Sequence, residues 1–308
     1  DLSTPYKLEH VLGNHFIGDE TPEIAYLWQN RYNRAQGYVD LNLAIFVRQK
    51  DETYLRIGEQ QRQYAHSAQL LTELLEAVGF TDIRLYGDKI TLMDGMVRGL
   101  LLTATHTVAE AAAIHLTSPV ATAALGRTLM GTAMMGAMLK ADQASVTVTI
   151  DGGGPLGRIV CVADHDSVRG CVDVPGLEMP LKPNGKLDVG RAVGCEGRMS
   201  VVRDMGMKSP YVGQVPLVSG EIAEDFANYY VVSEQTPTLQ SLGVLVSGEV
   251  VLSAGGVLLQ PLPGCTDDII SQLELRSPMM ADVSRELCHE PMEALMEKWF
   301  EGLRPVVL

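Results

Sequence analysis

Three local constellations and five cysteines are the places where this chain could do chemistry. Gly152-Gly153-Gly154-Pro155-Leu156-Gly157 satisfies G-x-G-x-x-G, a pattern that cradles a pyrophosphate when it lies between a strand and a helix N-terminus. Here a second strand, Arg158-Ile159-Val160-Cys161-Val162, follows directly, so the glycines read as a hairpin turn. Asp164-His165-Asp166 sets an imidazole between carboxylates, suited to general-base work or metal ligation. Its position in a turn makes it a solvated turn instead. Cys288-His289-Glu290 joins a thiol, an imidazole and a carboxylate, but a thiol becomes a nucleophile only beside an orienting partner, and the run reads as a helix end. Cys161, Cys171, Cys195, Cys265 and Cys288 form no C-x-C or C-x-x-C pair, so spacing assigns neither zinc nor a disulfide framework. No G-x-S-x-G, H-E-x-x-H or G-K-[ST] occurs. No catalytic, cofactor-binding or metal residue is assigned.

The elements that would position such groups divide near Tyr86 to Leu92. In the first part Tyr38 to Val47 reads as a strand, Lys50-Asp51-Glu52 as a turn and Tyr54 to Ile57 as the start of a return strand, a hairpin. Ser67 then precedes Leu70, Leu71, Leu74, Leu75 and Val78 at helical spacing, Gly79 stops that helix, and Thr81 to Tyr86 reads as a strand. The second part opens with a strand from Met96 to Leu102, then a capping box of Thr107 with Glu110 that starts a helix ending at His115. Pro119 to Leu139 has the length of a membrane span. Arg127 and many small residues make it a buried core helix instead, capped by Ser118, with Met130, Met134, Met135 and Met138 filling gaps.

Strands Ser145 to Ile150, Arg158 to Val162 and Val168 to Val174 follow. A helix opening near Ser219 turns Ile222, Phe226, Tyr229 and Tyr230 to one side, and Leu242 to Val246 pairs with Val250 to Leu259. Helix then runs from Thr266 to Phe300, broken at Pro278 and Pro291. Phe226, Tyr229 and Met205 are each expected in the core. The fold class is α+β: a core of mixed sheets packed with helices, plus a smaller N-terminal α/β fragment of hairpin, helix and strand.

With 308 residues, 46% hydrophobic and 20% charged, the chain has room for two folded domains. Its net charge of −14 argues against nucleic acid and anionic membrane as partners. No basic segment leads an apolar one near Asp1, so no secretory signal is recognised, and unpaired cysteines fit a reducing cytoplasm.

The segments Thr117 to Arg127, Gly153 to Arg158, Gly213 to Asp225 and Ser233-Glu234-Gln235-Thr236-Pro237 resemble the family of redox-switched heat-shock holdases called 33 kDa chaperonins. Gly185 to Gly190 and Ala254 to Gln260 extend the resemblance, in the family's order, over residues 88–308. It implies an ATP-independent chaperone that holds unfolding client proteins, and a homodimer. It also implies a C-terminal module whose C-x-C and C-x-x-C cysteines bind zinc and whose oxidation switches client binding on. This sequence departs from that pattern: its cysteines do not match the switch ligands, and it reaches Leu308 where the linker toward the module would start. Zinc is expected only in that module, and the chain is expected to suppress aggregation without oxidant.

Residues 1–87 carry a second resemblance. Asp1 to Leu8, Tyr26-Leu27-Trp28, the hairpin through Phe46, Arg62 to Ser67 and Leu74 to Phe80 look like the C-terminal part of a class I S-adenosylmethionine-dependent methyltransferase. The family's cofactor loop would lie upstream of Asp1, so no S-adenosylmethionine residue carries over. The implied alternative is a methyltransferase fused to a chaperone. The sequence leans away from an enzyme.

Overall fold

The computed structural model describes residues 13–14, 16–21, 24–49, 53–64, 88–139, 143–165, 167–206 and 210–307. It divides into one unit of Asp1–Leu85 with Val306–Leu308 and a second of Tyr86–Pro305. The helix expected after Ser67 and the strand Thr81 to Tyr86 lie outside the described residues.

In the first unit four strands form an antiparallel meander in the order β1 (Phe16–Glu20), β2 (Ile24–Asn33), β3 (Tyr38–Arg48) and β4 (Tyr54–Tyr64). The expected hairpin is there, and its return strand runs seven residues beyond Ile57. Alternation builds the sheet: β3 places Val39, Leu41, Leu43, Ile45 and Val47 on one face and Tyr38, Asp40, Asn42 and Phe46 on the other. Val39 and Leu41 are the buried centre of the described part of this unit, with Tyr32 against them.

The second unit holds two further antiparallel sheets and seven helices among the described residues. One sheet has the order β11 (Tyr211–Pro216), β10 (Arg198–Asp204), β7 (Ser145–Asp151), β8 (Ile159–Ala163), β9 (Val168–Val172). The other runs β12 (Leu239–Ser247), β13 (Val250–Pro261), β6 (Val97–Thr103), β5 (Asp88–Leu92). Between α1 (Thr105–His115) and β7 lies α2 (Pro119–Ala137), which packs on β7, β8 and β9 of one sheet and on β12 and β13 of the other. Fifteen of its residues are buried, which is the expected core helix. Ser118 caps it, its hydroxyl accepting from Ala121 N at 3.4 Å. Buried Thr128 and Thr132 donate to the carbonyls of Ala124 (2.9 Å) and Thr128 (2.7 Å), so neither hydroxyl is left unpaired inside the core.

The remaining helices are α3 (Val189–Val193), α4 (Ala223–Glu234), α5 (Asp267–Met280), α6 (Val283–Glu286) and α7 (Met292–Trp299). A second core lies on the far face of β5, β6 and β13, where Ile90, Leu101, Val257 and Leu259 meet Trp299, Phe300 and Leu303. This sheet is therefore buried on both faces, which is why Leu100-Leu101-Leu102 is an unbroken apolar run rather than an alternating one.

Three expectations need correction. The first helix starts at Thr105, two residues before the supposed capping box, with Ala104 at the N-cap and no side-chain cap. Its start is fixed from outside: Ala104 N donates to Ala254 O (2.9 Å), and Thr105 Oγ1 accepts from Ala254 N (3.0 Å). Pro278 does not break its helix, which continues to Met280; in the last turn a proline forfeits a single backbone bond. Met205 is on the surface, whereas Phe226 and Tyr229 are fully buried.

Candidate binding surface

The three constellations are spread apart, and none of them assembles a reacting centre. The glycine loop joins β7 to β8, as its turn reading required, and its amides are engaged: Gly154 N donates to Val193 O (2.9 Å) and Leu156 N to Ala192 O (3.0 Å). Amides turned onto a neighbouring helix cannot cradle a phosphate. Asp164 accepts from Ser167 N (2.7 Å) and Ser167 Oγ (3.0 Å), a closed turn, and Asp166 lies outside the described residues. Cys288 contacts Ser253 Oγ at 3.3 Å, while Glu290 reaches Lys298 (3.8 Å) rather than His289. The five thiols are free; burial pushes Cys161 far up, and Cys265 is raised by burial and by Asp267. Among the described residues no three His, Cys, Asp or Glu gather in a metal-holding group. The donor set of the described residues therefore does not fit a zinc centre.

The surface instead offers apolar side chains around α4 and β11. Val231 and Val232 of α4 and Tyr211 and Val212 of β11 are 49–58% exposed, and Met205 lies near the end of neighbouring β10. Helix and strand are tied together: Asn228 Nδ2 donates to Pro216 O (3.1 Å), and Tyr211 OH lies 3.3 Å from Ser233 Oγ. β11 is the outer strand of its sheet, with β10 its one neighbour among the described strands, so its far edge pairs with no described strand.

Two carboxylates hold α4 in place. Asp225, fully buried, accepts from Val218 N (2.7 Å), Ser219 N (3.2 Å) and Ile222 N (2.9 Å), closing the helix N-terminus. Ile222 sits at φ 73°, ψ −56°, and Ala223 N donates to Glu221 O (2.9 Å) across it, a strained γ-turn for a β-branched residue. Beside it Glu221 accepts from Arg127 of α2 (2.8 Å), Lys182 (2.6 Å) and Gly190 N (3.3 Å). Burial alone would raise Glu221, but the Lys182 and Arg127 hydrogen bonds outweigh it and hold the group below its ordinary range. At the other end of α4 Glu234 pairs with Arg203 of β10, and here burial wins and raises the carboxyl.

Sequence reasoning did not single out this surface. Its signal was present in Tyr229-Tyr230-Val231-Val232, four apolar residues in succession on a helix, of which 100° spacing lets only part face a core.

The described residues of the second unit thus form an α+β body with an outer strand and large apolar side chains in solvent, the two features by which an extended polypeptide can be taken up. Residues 86–308 match the model of the Hsp33 protein family. The 33 kDa chaperonin of Staphylococcus aureus strain Newman is 49% identical over 199 residues, covering 64% of this chain and 68% of that protein. The solved 33 kDa chaperonin (heat shock protein 33 homolog) of Thermotoga maritima aligns with a TM-score of 0.66 and 36% identity over 72% of this chain and 78% of that one. The chain belongs to the Hsp33 family of heat-shock chaperones. A solved S-adenosylmethionine-dependent methyltransferase from Clostridium acetobutylicum aligns over 30% of each chain, with a TM-score of 0.22 and 23% identity, too slight a likeness to bear on fold or function. No helix among the described residues is long and apolar enough to cross a membrane.

Proposed function

We propose that this protein is an ATP-independent holdase, working in the cytoplasm as a homodimer, that captures unfolding proteins and keeps them from aggregating. Residues 88–308 form the holdase core, and residues 1–87 an appended domain. The observation that carries this reading is the set of large apolar side chains left exposed on the outer strand β11, Tyr211 and Val212, and on the helix α4 packed beside it, Val231 and Val232. A client presents apolar side chains on extended backbone; the patch buries the former, at about 1.5–3 kcal/mol per large side chain, and the edge pairs with the latter. Such binding needs no bond making.

The dispersed free cysteines favour capture that does not wait for an oxidant. The test is light scattering by a heat-unfolding client with the purified chain, without ATP, in reductant and again after peroxide. Suppression in reductant is expected. Suppression only after peroxide would overturn the constitutive reading, and none in either condition would overturn the holdase. Val231→Ser with Val232→Ser is expected to weaken suppression at least about threefold while moving the melting temperature little, because surface changes cost within about 0.5 kcal/mol.

A further inference from the structure

The net charge of −14 hides a local concentration of the opposite sign. In the meander of the first unit the strand register pairs Arg48 with Tyr54, Phe46 with Arg56, Asp40 with Arg62 and Tyr38 with Tyr64, and β2 adds Arg31 opposite Asp40. Residues directly opposite share a face, so four arginines and four aromatic rings interleave on one side of the sheet. All four arginines are exposed. Phe16 of β1 joins this face, opposite Gln29, and Phe16, Tyr54 and Tyr64 are 64, 56 and 51% exposed. Arg62 holds Asp40 of this face through two hydrogen bonds of 2.6 and 2.9 Å, and the register places one further acidic residue on it, Glu20 in the outer strand β1, against four arginines.

The other face is different: Val39 and Leu41 are buried and Leu43, Ile45 and Val47 half-buried. The sheet thus has an apolar side closed over Val39 and Leu41, with Ile24, Leu55 and Ile57 exposed at its margins, and an open side on which guanidinium and ring alternate. One stack is already formed, with the Arg62 guanidinium 3.8 Å from the centre of the Tyr38 ring and Tyr64 edge-on to that ring at 5.6 Å.

An open sheet face of rings and arginines offers stacking platforms for bases and cations for phosphates, the combination that takes a single strand. A duplex hides its base faces and would meet only the charge. We infer that this face of β1–β4 is a docking platform for single-stranded RNA, the form in which unpaired nucleic acid persists in a cell. Asn42 and Gln60, opposite one another between the two Arg–aromatic rows, add amide groups to the same face, the donors and acceptors that base edges and 2′-hydroxyls bond to.

The test is fluorescence anisotropy of a short labelled oligoribonucleotide of mixed uridine and adenosine with the full chain, over a salt series. The expected result is saturable binding that weakens with salt. Arg31→Glu with Arg56→Glu is expected to weaken it at least about tenfold, and Tyr54→Ala about fivefold or more. Arg56→Lys is expected to retain most of it, and aggregation suppression is expected to stay unchanged in all of these variants. The melting profile of each variant is compared with the wild type, and a variant that has lost its fold is replaced by Arg48→Glu. Absence of binding, charge-reversed variants that bind like the wild type, or equal affinity for duplex or single-stranded DNA would overturn the assignment.

Discussion

Glu221 and Glu234 flank the same helix, and their environments push them in opposite directions. Glu221 takes hydrogen bonds from two cations, so its carboxylate is favoured in the folded state. Its stability contribution is present above the unfolded value of about 4.5 and is lost as pH falls through the lower folded value. Glu221→Gln is expected to cost about 1–3 kcal/mol at neutral pH, by chemical denaturation, because Arg127 is left half-buried without its partner. Glu234 is raised, so its contribution is present below the unfolded value and lost as pH rises through the folded one. Glu234→Gln is therefore expected to gain on the wild type as pH climbs from about 4.5 toward neutrality; a flat difference in denaturation midpoint would refute that sign. Neither role was legible in the sequence, because the charged groups that act on each carboxyl come from remote segments: Arg127 and Lys182 for one, Arg203 for the other.

At the scale of elements, α2 sets the spacing of the second unit. A side chain in place of Gly131 would put its Cβ 2.5 Å from the Phe226 ring of α4. Gly131→Ala is expected to cost about 1–3 kcal/mol, read as a lower denaturation midpoint with an unchanged slope. The helix itself was legible, because a capped apolar run interrupted by one arginine has few other readings, and β7, β8, β12 and β13 were legible through alternation and their turns. β10 and β11 were not anticipated: Arg198, Arg203 and Asp204 break the pattern of the first, and Gly213 and Pro216 that of the second. The partner that fixes β10 is β7, far away in sequence, and β11 pairs on β10. The start of α1 was misplaced for the same kind of reason, since Ala254 on β13 determines it. The open arginine face needed a register that includes β2, and sequence alternation had identified only the β3–β4 hairpin.

For the whole molecule, the described residues of the two units differ in how much apolar surface they hide. The second has two extended cores, whereas the described part of the first centres on Val39 and Leu41. Calorimetry is expected to resolve two transitions, with the first unit melting at the lower temperature and the second largely indifferent to substitutions in β1–β4. A single cooperative transition would show instead that the units unfold together.

The order of strands in the second unit also bears on how the chain is made. β6 leaves the ribosome early, but its neighbour β13 comes much later: the Arg98–Gln260 hydrogen bond between them spans 162 residues. At a synthesis rate of about 5–20 residues per second, the wait is roughly 8–30 seconds. For most of it α2 is already made, while β12 and β13, against which one of its sides buries, are not. A protein that shelters others thus spends much of its own synthesis with one side of its most apolar helix uncovered, and slowed translation between β9 and β13 should raise its own need for a nascent-chain chaperone.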